Sequence, residues 1–333
     1  QDSLRTSVIK YVMAAADVFT IQDSDLMVLA AGGALTQIQE SAKVQASADS
    51  DAVKAFTNKG KLYAYPSGQE KSYVLFYNKK QIGDGQVKTL EGTLKAAAAK
   101  GKKLAMDWSQ GQSVYSFFGK TGLNLSLNDD GTTNACNWNS TDHEIKGVTV
   151  AGAMGSIAGN KGFANMKEAD MVAAAKSGKI AAGIASVETA EAVKKEWGDD
   201  FAAAKLPTYS CGGKKMAMSS FLGYRAVAAN YYSENKEWAL KLAEYLAGEE
   251  AQKTRYQELN QLPVNTNVMN SEEAKKDPVI EAVSQQKSMG SLRRVGTGYE
   301  EACASFGTKM AGGEKDYQNL LDDLVKGITT SAK

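Results

Sequence analysis

The sequence predicts an α/β fold in which helices flank mostly parallel sheets, because short apolar runs alternate with amphipathic helical stripes along the chain. Its 333 residues exceed what one hydrophobic core usually contains, so two lobes are expected. Hydrophobic residues make up 43% and charged residues 23%, which is the composition of a globular protein rather than a disordered one.

The predicted strands are short apolar runs, as expected for strands that are buried on both faces. They cover Asp17 to Ile21, Lys61 to Pro66, Ser72 to Lys80, Lys103 to Trp108 and Lys179 to Ala185. Pro66 is predicted to end its strand, since proline cannot donate to a sheet ladder. In such sheets ligands bind outside the carboxyl ends of the strands, so functional side chains are expected directly after each run.

The predicted helices carry apolar side chains at helical spacing. One follows the first strand, with Asp23 or Ser24 as N-cap and Gly32 or Gly33 as its stop. A shorter pattern predicts a helix from Met171 to Lys176, ended by Gly178. Two longer stripes are Trp238, Leu242, Tyr245 and Leu246, and Tyr317, Leu320, Leu321, Leu324, Val325 and Ile328. We expect Trp238 to lie in the core.

Charge, cysteine and histidine content argue against several classes of function. The formal net charge of +1 does not favour nucleic acid or an anionic membrane as a partner. No apolar run approaches the roughly 18 to 20 residues of a membrane-spanning helix. The three widely spaced cysteines, Cys136, Cys211 and Cys303, and the single histidine, His143, make a zinc site improbable. No metal or cofactor is therefore predicted.

Three stretches resemble the maltodextrin-binding branch of the solute-binding proteins of bacterial ABC importers. Ala16 to Ile38, ADVFTIQDSDLMVLAAGGALTQI, is similar to the family pattern P-D-[IV]-x-x-x-x-x-D followed by L-x-x-x-G-x-L-x-x-[IL]. Gly60 to Ile82, GKLYAYPSGQEKSYVLFYNKKQI, is similar to G-K-L-Y-[AG]-[YIF]-P followed by L-[IFW]-Y-N-K-x-[LI]. Leu206 to Val264 carries LPT, FLGYRAVAAN, NKEWALKLAEYLAGEEAQ and LPVN in the family's order.

The resemblance covers nearly the whole chain and implies a periplasmic-binding-protein-like fold, whose two lobes close around a ligand by hinge motion. Three crossings between the lobes are expected, near Pro66, near Phe221 to Gly223 and near Met289 to Arg293. The N-terminal lobe is expected to comprise 1–66 and 222–289, and the C-terminal lobe 67–221 and 290–333.

The start of the sequence departs from the family. Leu4, Val8, Tyr11 and Val12 form a helical stripe close to the first residue, whereas family members begin with a strand, a helix and a second strand before this point. That strand-helix-strand is expected to be missing here, so the N-terminal lobe is expected to be incomplete.

A sugar presents vicinal hydroxyls on its rim and C–H patches on its faces, which carboxylates, amides, Arg and aromatic rings recognise. Asp23 and Asp25 follow the first predicted strand, and Glu70 stands where the maltodextrin branch has a ligand-contacting Glu. Helix capping is the alternative for Asp23, and a solvated loop carboxylate is the alternative for Glu70.

The C-terminal lobe is expected to contribute residues from the loops after its strands. Trp108 is the predicted stacking ring, with core packing as the alternative, and Glu188 follows Lys179 to Ala185. The remaining predicted ligand contacts are Gln110, Gln112, Arg294 and Tyr299. Ile21 and Glu188 stand where maltose binders have stacking Trp residues, so the site is expected to be more polar and its sugar shorter or different.

The resemblance implies a non-enzymatic subunit of an ABC importer that captures an oligosaccharide and delivers it to permease transmembrane subunits. It is expected to be a monomer outside the cytoplasm, either a lipoprotein or free in a periplasm. One alternative is the same fold with a polyamine or peptide ligand, and a more remote one is a glycan-active enzyme with paired carboxylates. The Gly119 to Thr121 run is not a P-loop, because Val114 occupies the position of the required earlier glycine.

Overall fold

The computed structural model describes residues 15–330, and within them the chain forms two compact units. Unit 1 consists of the described residues up to Lys71 together with Leu222–Ile280. Unit 2 consists of Ser72–Phe221 together with the described residues from Glu281 onward. The chain therefore passes from one unit to the other after Lys71, after Phe221 and after Ile280. The sequence predicted crossings near Pro66, near Phe221 to Gly223 and near Met289 to Arg293, so the third crossing comes earlier than predicted. The predicted stripe from Leu4 to Val12 lies outside the described residues.

The main sheet of unit 1 has the long strand β14 (Phe221–Ala229) between β1 (Val18–Gln22) and β4 (Tyr65–Glu70). Both pairings are antiparallel, so β1 and β4 run parallel to each other on either side of β14. The predicted α/β class is confirmed, but the described strands of this sheet pair antiparallel rather than parallel. The reason is that β14 enters at a crossing, from the edge where β1 and β4 end, and must run in the opposite direction.

Strand β4 also corrects the predicted end of a strand at Pro66. It begins at Tyr65 and continues to Glu70, with Pro66 inside it. The register with β14 shifts between Arg225 and Ala226, opposite Gly68 and Pro66, so Pro66 lies at an irregularity in the ladder. A proline is tolerated at such a point because no regular ladder hydrogen bond is lost there.

Unit 2 contains a mixed five-stranded sheet in the order β11 (Phe201–Ala204), β5 (Tyr73–Asn78), β10 (Ile180–Ser186), β6 (Lys103–Met106) and β9 (Phe163–Asn165). The pairs β10–β6 and β6–β9 are parallel, whereas β5 is antiparallel to both of its neighbours. Strand β5 follows the first crossing as β14 follows the second, and the same reason explains its direction.

The remaining described elements are short strands and the helices that cover the sheets. The strands are β2 (Thr57–Asn58), β3 (Lys61–Leu62), β7 (Leu125–Leu127), β8 (Asn134–Cys136), β12 (Thr208–Cys211), β13 (Lys214–Ala217) and β15 (Ser291–Leu292). The helices are α1 (Leu26–Ala31), α2 (Ser41–Ser47), α3 (Ser50–Ala55), α4 (Leu90–Ala99), α5 (Gly111–Phe118), α6 (Gly147–Ala158), α7 (Glu168–Lys176), α8 (Val187–Trp197), α9 (Lys236–Ala247), α10 (Glu249–Leu259), α11 (Thr266–Met269), α12 (Pro278–Gln286), α13 (Tyr299–Ala311) and α14 (Tyr317–Thr329).

The core of unit 2 is rich in interlocked aromatic rings. Trp138 stacks on Phe118 with ring centroids 4.4 Å apart and meets Tyr299 edge to face at 6.3 Å. Helix α14 closes this core, and its predicted apolar stripe is buried at Leu320, Leu321, Leu324 and Ile328. The prediction of an amphipathic C-terminal helix is confirmed.

Helix α9 does not bury the stripe that the sequence predicted for it. Trp238 is 70% exposed, and Leu242, Tyr245 and Leu246 are exposed as well, so the assignment of Trp238 to the core was wrong. The buried residues of α9 are the alanines Ala239, Ala243 and Ala247. Small side chains let the helix approach the sheet closely, where Ala243 and Ala247 pack beside Val227.

Across residues 15–330, no helix combines the length and the apolar character that crossing a membrane requires.

Candidate functional site

The carboxyl edge of the unit 1 sheet gathers polar side chains from three strands. Gln22 at the end of β1 and Gly68 near the end of β4 both lie opposite Arg225 of β14. Asp23 follows Gln22 directly, and Glu70 is the last residue of β4. Because β14 separates these strands by two spacings of about 5 Å each, Asp23 and Glu70 flank its first residues on the order of 10 Å apart.

An ion pair joins Glu70 to Arg225 at this edge. The Glu70 carboxylate and the Arg225 guanidinium are 2.6 Å apart, and the Glu70 side chain is almost completely buried while 41% of the Arg225 side chain is exposed. Burying a carboxylate costs free energy unless a partner compensates it, and Arg225 is that partner. The exposed part of the guanidinium remains available as a donor of hydrogen bonds.

Asp23 and Asp25 differ in their surroundings. Asp25 accepts a hydrogen bond of 3.1 Å from the backbone N–H of Gln22, so it helps to cap the helical turn after β1. Asp23 is buried. Burial of Tyr224, followed by the charges of Asp49, Asp51 and Asp23 in that order, raises the pKa of Tyr224.

At the carboxyl edge of the unit 2 sheet, Glu168 is a centre of hydrogen bonds. It lies just after β9 and accepts from the Tyr73 hydroxyl, from the Ser186 hydroxyl at 2.8 Å and from the Thr189 hydroxyl at 2.9 Å. Burial and the neighbouring Glu168 carboxylate raise the pKa of Tyr73 well above its usual range. Tyr73 therefore stays protonated and acts as a donor to Glu168.

Asp107 organises the loop after β6 in a similar way. Its carboxylate accepts from the Ser109 hydroxyl at 2.6 Å and from the Gln110 amide at 3.3 Å, and the Lys167 ammonium lies 3.8 Å away. Asp107 is buried, whereas Gln110 is exposed beside it. This edge thus presents an amide and an ammonium group that a buried carboxylate holds in place.

Trp108 and Tyr299 are corrections to the predicted site, because neither has an exposed ring face. Trp108 is fully buried, with its ring 4.7 Å from that of Phe163 and 5.7 Å from that of Phe117. Tyr299 is also fully buried and donates its hydroxyl proton to the Gly111 carbonyl at 2.9 Å. Both rings pack in the core of unit 2 and cannot stack on a ligand in this conformation.

The other predicted residues of unit 2 have separate positions. Glu188 is exposed in the first turn of α8, after the end of β10. Gln112 bonds to Ser220 and to the backbone of Phe221. Arg294 is partly buried, and its neighbour Arg293 pairs with Glu300 at 2.5 Å. The structure brings Gln110 and Glu188 to the ends of the adjacent strands β6 and β10. The Gln112 amide instead makes its hydrogen bonds to residues of unit 2 itself.

Sequence reasoning missed the residues that organise each edge separately, namely Arg225 in unit 1 and Asp107, Lys167, Glu168, Ser186 and Tyr73 in unit 2. Asp107 lies near the end of the predicted strand Lys103 to Trp108, and Ser186 directly follows the predicted strand Lys179 to Ala185, so their positions carried a usable signal. Lys167 and Glu168 follow β9, whose three residues are too few to be recognised as a strand from the sequence.

Metal ligands and cysteine thiols are the remaining reactive side chains to consider. Among residues 15–330, no cluster of three or more His, Cys, Asp or Glu side chains is arranged to hold a metal ion. Cys136, Cys211 and Cys303 are free thiols. Burial raises the pKa of Cys136 to about 12 and that of Cys303 well above its usual range.

Comparison with known proteins identifies the family. The curated galactooligosaccharide-binding protein of Bacillus subtilis (strain 168) is 27% identical over 286 residues, which are 81% of this chain and 65% of that protein. The maltodextrin-binding protein MalE1 from L. casei BL23 is 26% identical and superposes with a TM-score of 0.86, covering 99% of this chain and 88% of that chain.

A third relative supports the fold alone. The Thermus thermophilus maltotriose binding protein is 21% identical, with a TM-score of 0.77 over 98% of this chain and 89% of that chain. The family described as bacterial extracellular solute-binding protein matches residues 1–282, which are most of the sequence. The chain therefore belongs to the bacterial extracellular solute-binding protein family.

Proposed function

We propose that the chain is the solute-binding subunit of an ABC importer and captures a short oligosaccharide by closing its two lobes around it. Family membership supports solute binding, and the names of the relatives, a galactooligosaccharide binder and maltodextrin binders, support a glycan. These relatives are binding proteins, so no catalytic step is proposed.

The observation that carries the proposal is the group formed by Asp23, Glu70 and Arg225 at the carboxyl edge of the unit 1 sheet. A carboxylate beside a partly exposed guanidinium offers both an acceptor and several donors, which suits the vicinal hydroxyls of a sugar rim. Gln110 and Lys167 supply an amide and a cation at the edge of unit 2.

The ligand is proposed to be short and recognised mainly through its hydroxyls. Ile21 and Glu188 replace two stacking rings of maltose binders, and the rings of Trp108 and Tyr299 are buried. A long maltodextrin depends on several aromatic platforms that cover its sugar faces, whereas a short glycan has fewer sugar faces to cover.

The partners and the location follow from the same proposal. The loaded protein would dock on the transmembrane permease subunits of the importer as a monomer. It would work outside the cytoplasm, as a lipoprotein or free in a periplasm.

A thermal-shift panel tests the proposal with galacto-oligosaccharides, maltotriose, spermidine and a tripeptide. A ligand at 100 times its Kd stabilises the native state by about 2.7 kcal/mol, which raises the Tm of a protein of 333 residues by about 4 °C. We expect that shift with at least one glycan. A shift with spermidine alone would replace the glycan by a polyamine, for which Asp23, Asp25 and Glu70 provide the negative charge.

A pair of variants locates the site. Glu70→Gln should abolish most of the ligand-induced shift, whereas Glu191→Gln should retain it. Glu191 is a matched control because it is also buried and paired with a cation, Lys194 at 3.5 Å, but lies in helix α8. An equal loss in both variants would remove Glu70 from the site, and cleavage of a glycan during the incubation would overturn the non-enzymatic assignment.

A further inference from the structure

The segments that cross between the units are fastened to one another inside unit 2. The first segment enters unit 2 at Ser72, the second leaves it at Phe221, and the third returns within helix α12. The hydrogen bonds that fasten these segments lie between residues of unit 2.

Tyr73, the first residue of β5, is held by side chains from the other two segments. Its backbone N–H donates to the Ser220 hydroxyl at 2.9 Å. Its backbone carbonyl accepts from the Gln286 amide at 2.5 Å. The register with β11 ends at Leu75, so these two side chains satisfy backbone groups beyond the reach of that strand.

Gln112 makes a comparable clamp on the second segment. Its amide donates to the Ser220 hydroxyl at 2.6 Å and to the Phe221 carbonyl at 3.2 Å, and its amide oxygen accepts from the Phe221 N–H at 3.1 Å. A single side chain thus pairs with both backbone groups of Phe221, as a neighbouring strand would.

The second and third segments are also joined directly. The Ser219 hydroxyl donates to the Met289 carbonyl at 2.6 Å, and the Ser291 N–H donates to the Ser220 carbonyl at 3.1 Å. At the end of α12, Gln286 additionally accepts from the Leu206 N–H at 3.0 Å, which anchors the third segment in the body of unit 2.

We propose that Gln112 and Gln286 are positioning residues that bind the three crossing segments into one base within unit 2, so that they move together when the lobes close. The consequence for affinity rests on the proposed function. If the segments flexed independently, more conformations would have to be lost on closure, and the apparent affinity would fall.

Hydrogen exchange tests the base without any ligand. In Gln112→Leu and in Gln286→Leu, we expect amides in all three segments, near residues 72–75, 219–222 and 287–292, to exchange at least about tenfold faster, because they open as one unit. Gln252→Leu is the matched control. Gln252 is as buried as Gln286, whereas Gln112 is partly buried. Gln252 bonds to Pro66, Ala247, Val264 and Asn265, all in unit 1.

Two results of the hydrogen-exchange experiment would contradict the proposal that the three segments form one base. Faster exchange confined to the segments bonded to the altered side chain would show that the segments are independent. An equal effect of Gln252→Leu on the three segments would show a general loss of stability. If a leucine variant does not fold, Gln112→Met and Gln286→Met take its place, since methionine keeps the length of the glutamine side chain but cannot donate a hydrogen bond.

Titration with the glycan that gives the largest thermal shift tests the consequence. We expect the Kd to rise about fivefold in the Gln112 and Gln286 variants, through faster dissociation, and to change less than twofold in Gln252→Leu. An unchanged Kd together with coupled exchange would overturn the positioning role. If no glycan binds the unaltered protein, the proposed function fails, and the exchange result alone decides whether the base exists.

Discussion

Helices α9 and α14 carry similar apolar stripes in the sequence, but the stripe of α14 is buried in the structure and that of α9 is exposed. In α14, Leu321 and Leu324 are buried in the core of unit 2. In α9, Trp238 and Tyr245 are more than two-thirds exposed, and a row of alanines faces the sheet instead. Helical periodicity therefore identifies an amphipathic helix, but the packing surface decides which of two possible faces is buried.

The largest effect in this comparison is expected from Leu321→Ala. Leu321 is fully buried, so removing its side chain should lower the free energy of unfolding of unit 2 by about 2 to 5 kcal/mol. Urea unfolding followed by thiol labelling measures this, because all three cysteines lie in unit 2 and the raised pKa values of Cys136 and Cys303 slow their reaction in the native state. A loss below about 1 kcal/mol would contradict the packing of α14.

A smaller effect is expected when the alanine face of α9 is enlarged. Ala243 is fully buried beside Val227, so Ala243→Leu should overpack the contact and destabilise unit 1 by about 1 to 3 kcal/mol. Hydrogen exchange of the β1 and β14 amides in increasing urea measures the stability of this unit separately. Ala251→Leu, at a partly buried position of α10, serves as the comparison and should cost less.

On the opposite face of α9, substitution should hardly change stability. Leu242 is 48% exposed, so Leu242→Ala should alter the free energy of unfolding by less than about 0.5 kcal/mol. The same urea titration measures it, and a loss comparable to that of Leu321→Ala would mean that this face is covered in solution.

The smallest effect on stability is expected from Trp238→Phe. This variant serves as a spectroscopic test of how exposed Trp238 is. Trp108 and Trp138 are fully buried and Trp197 is partly buried, whereas Trp238 is 70% exposed, so iodide should quench mainly Trp238. The variant should lose most of the quenchable emission. Retention of that emission would contradict the exposure of α9.

The sequence predicted the long, uniform elements well and the short or locally irregular ones poorly. The apolar runs of β6 and β10 and the stripe of α14 were recognisable because each repeats one pattern over several residues. Strand β9 has three residues, and β4 continues through Pro66 because an irregularity in its ladder with β14 accommodates the proline. Neither feature has a local pattern that distinguishes it from a loop.

For the candidate site, position after a strand was informative but side-chain direction was not. Glu70 and Asp23 were expected at a carboxyl edge, and they lie at one. Asp107 and Trp108 are neighbours at the end of β6, yet Asp107 organises the loop while Trp108 packs inward. Direction depends on contacts such as that with Phe163, which comes much later in the sequence.

The late position of β14 has a consequence for how the protein is made. All five strands of the unit 2 sheet precede residue 221, so that sheet can pair while synthesis is still in progress. Strands β1 and β4 emerge earlier, but each must wait for β14 before its ladder can form. At ~5–20 residues per second, β4 stays without this partner for on the order of ten seconds, which makes nascent chains stopped in that interval prone to aggregation.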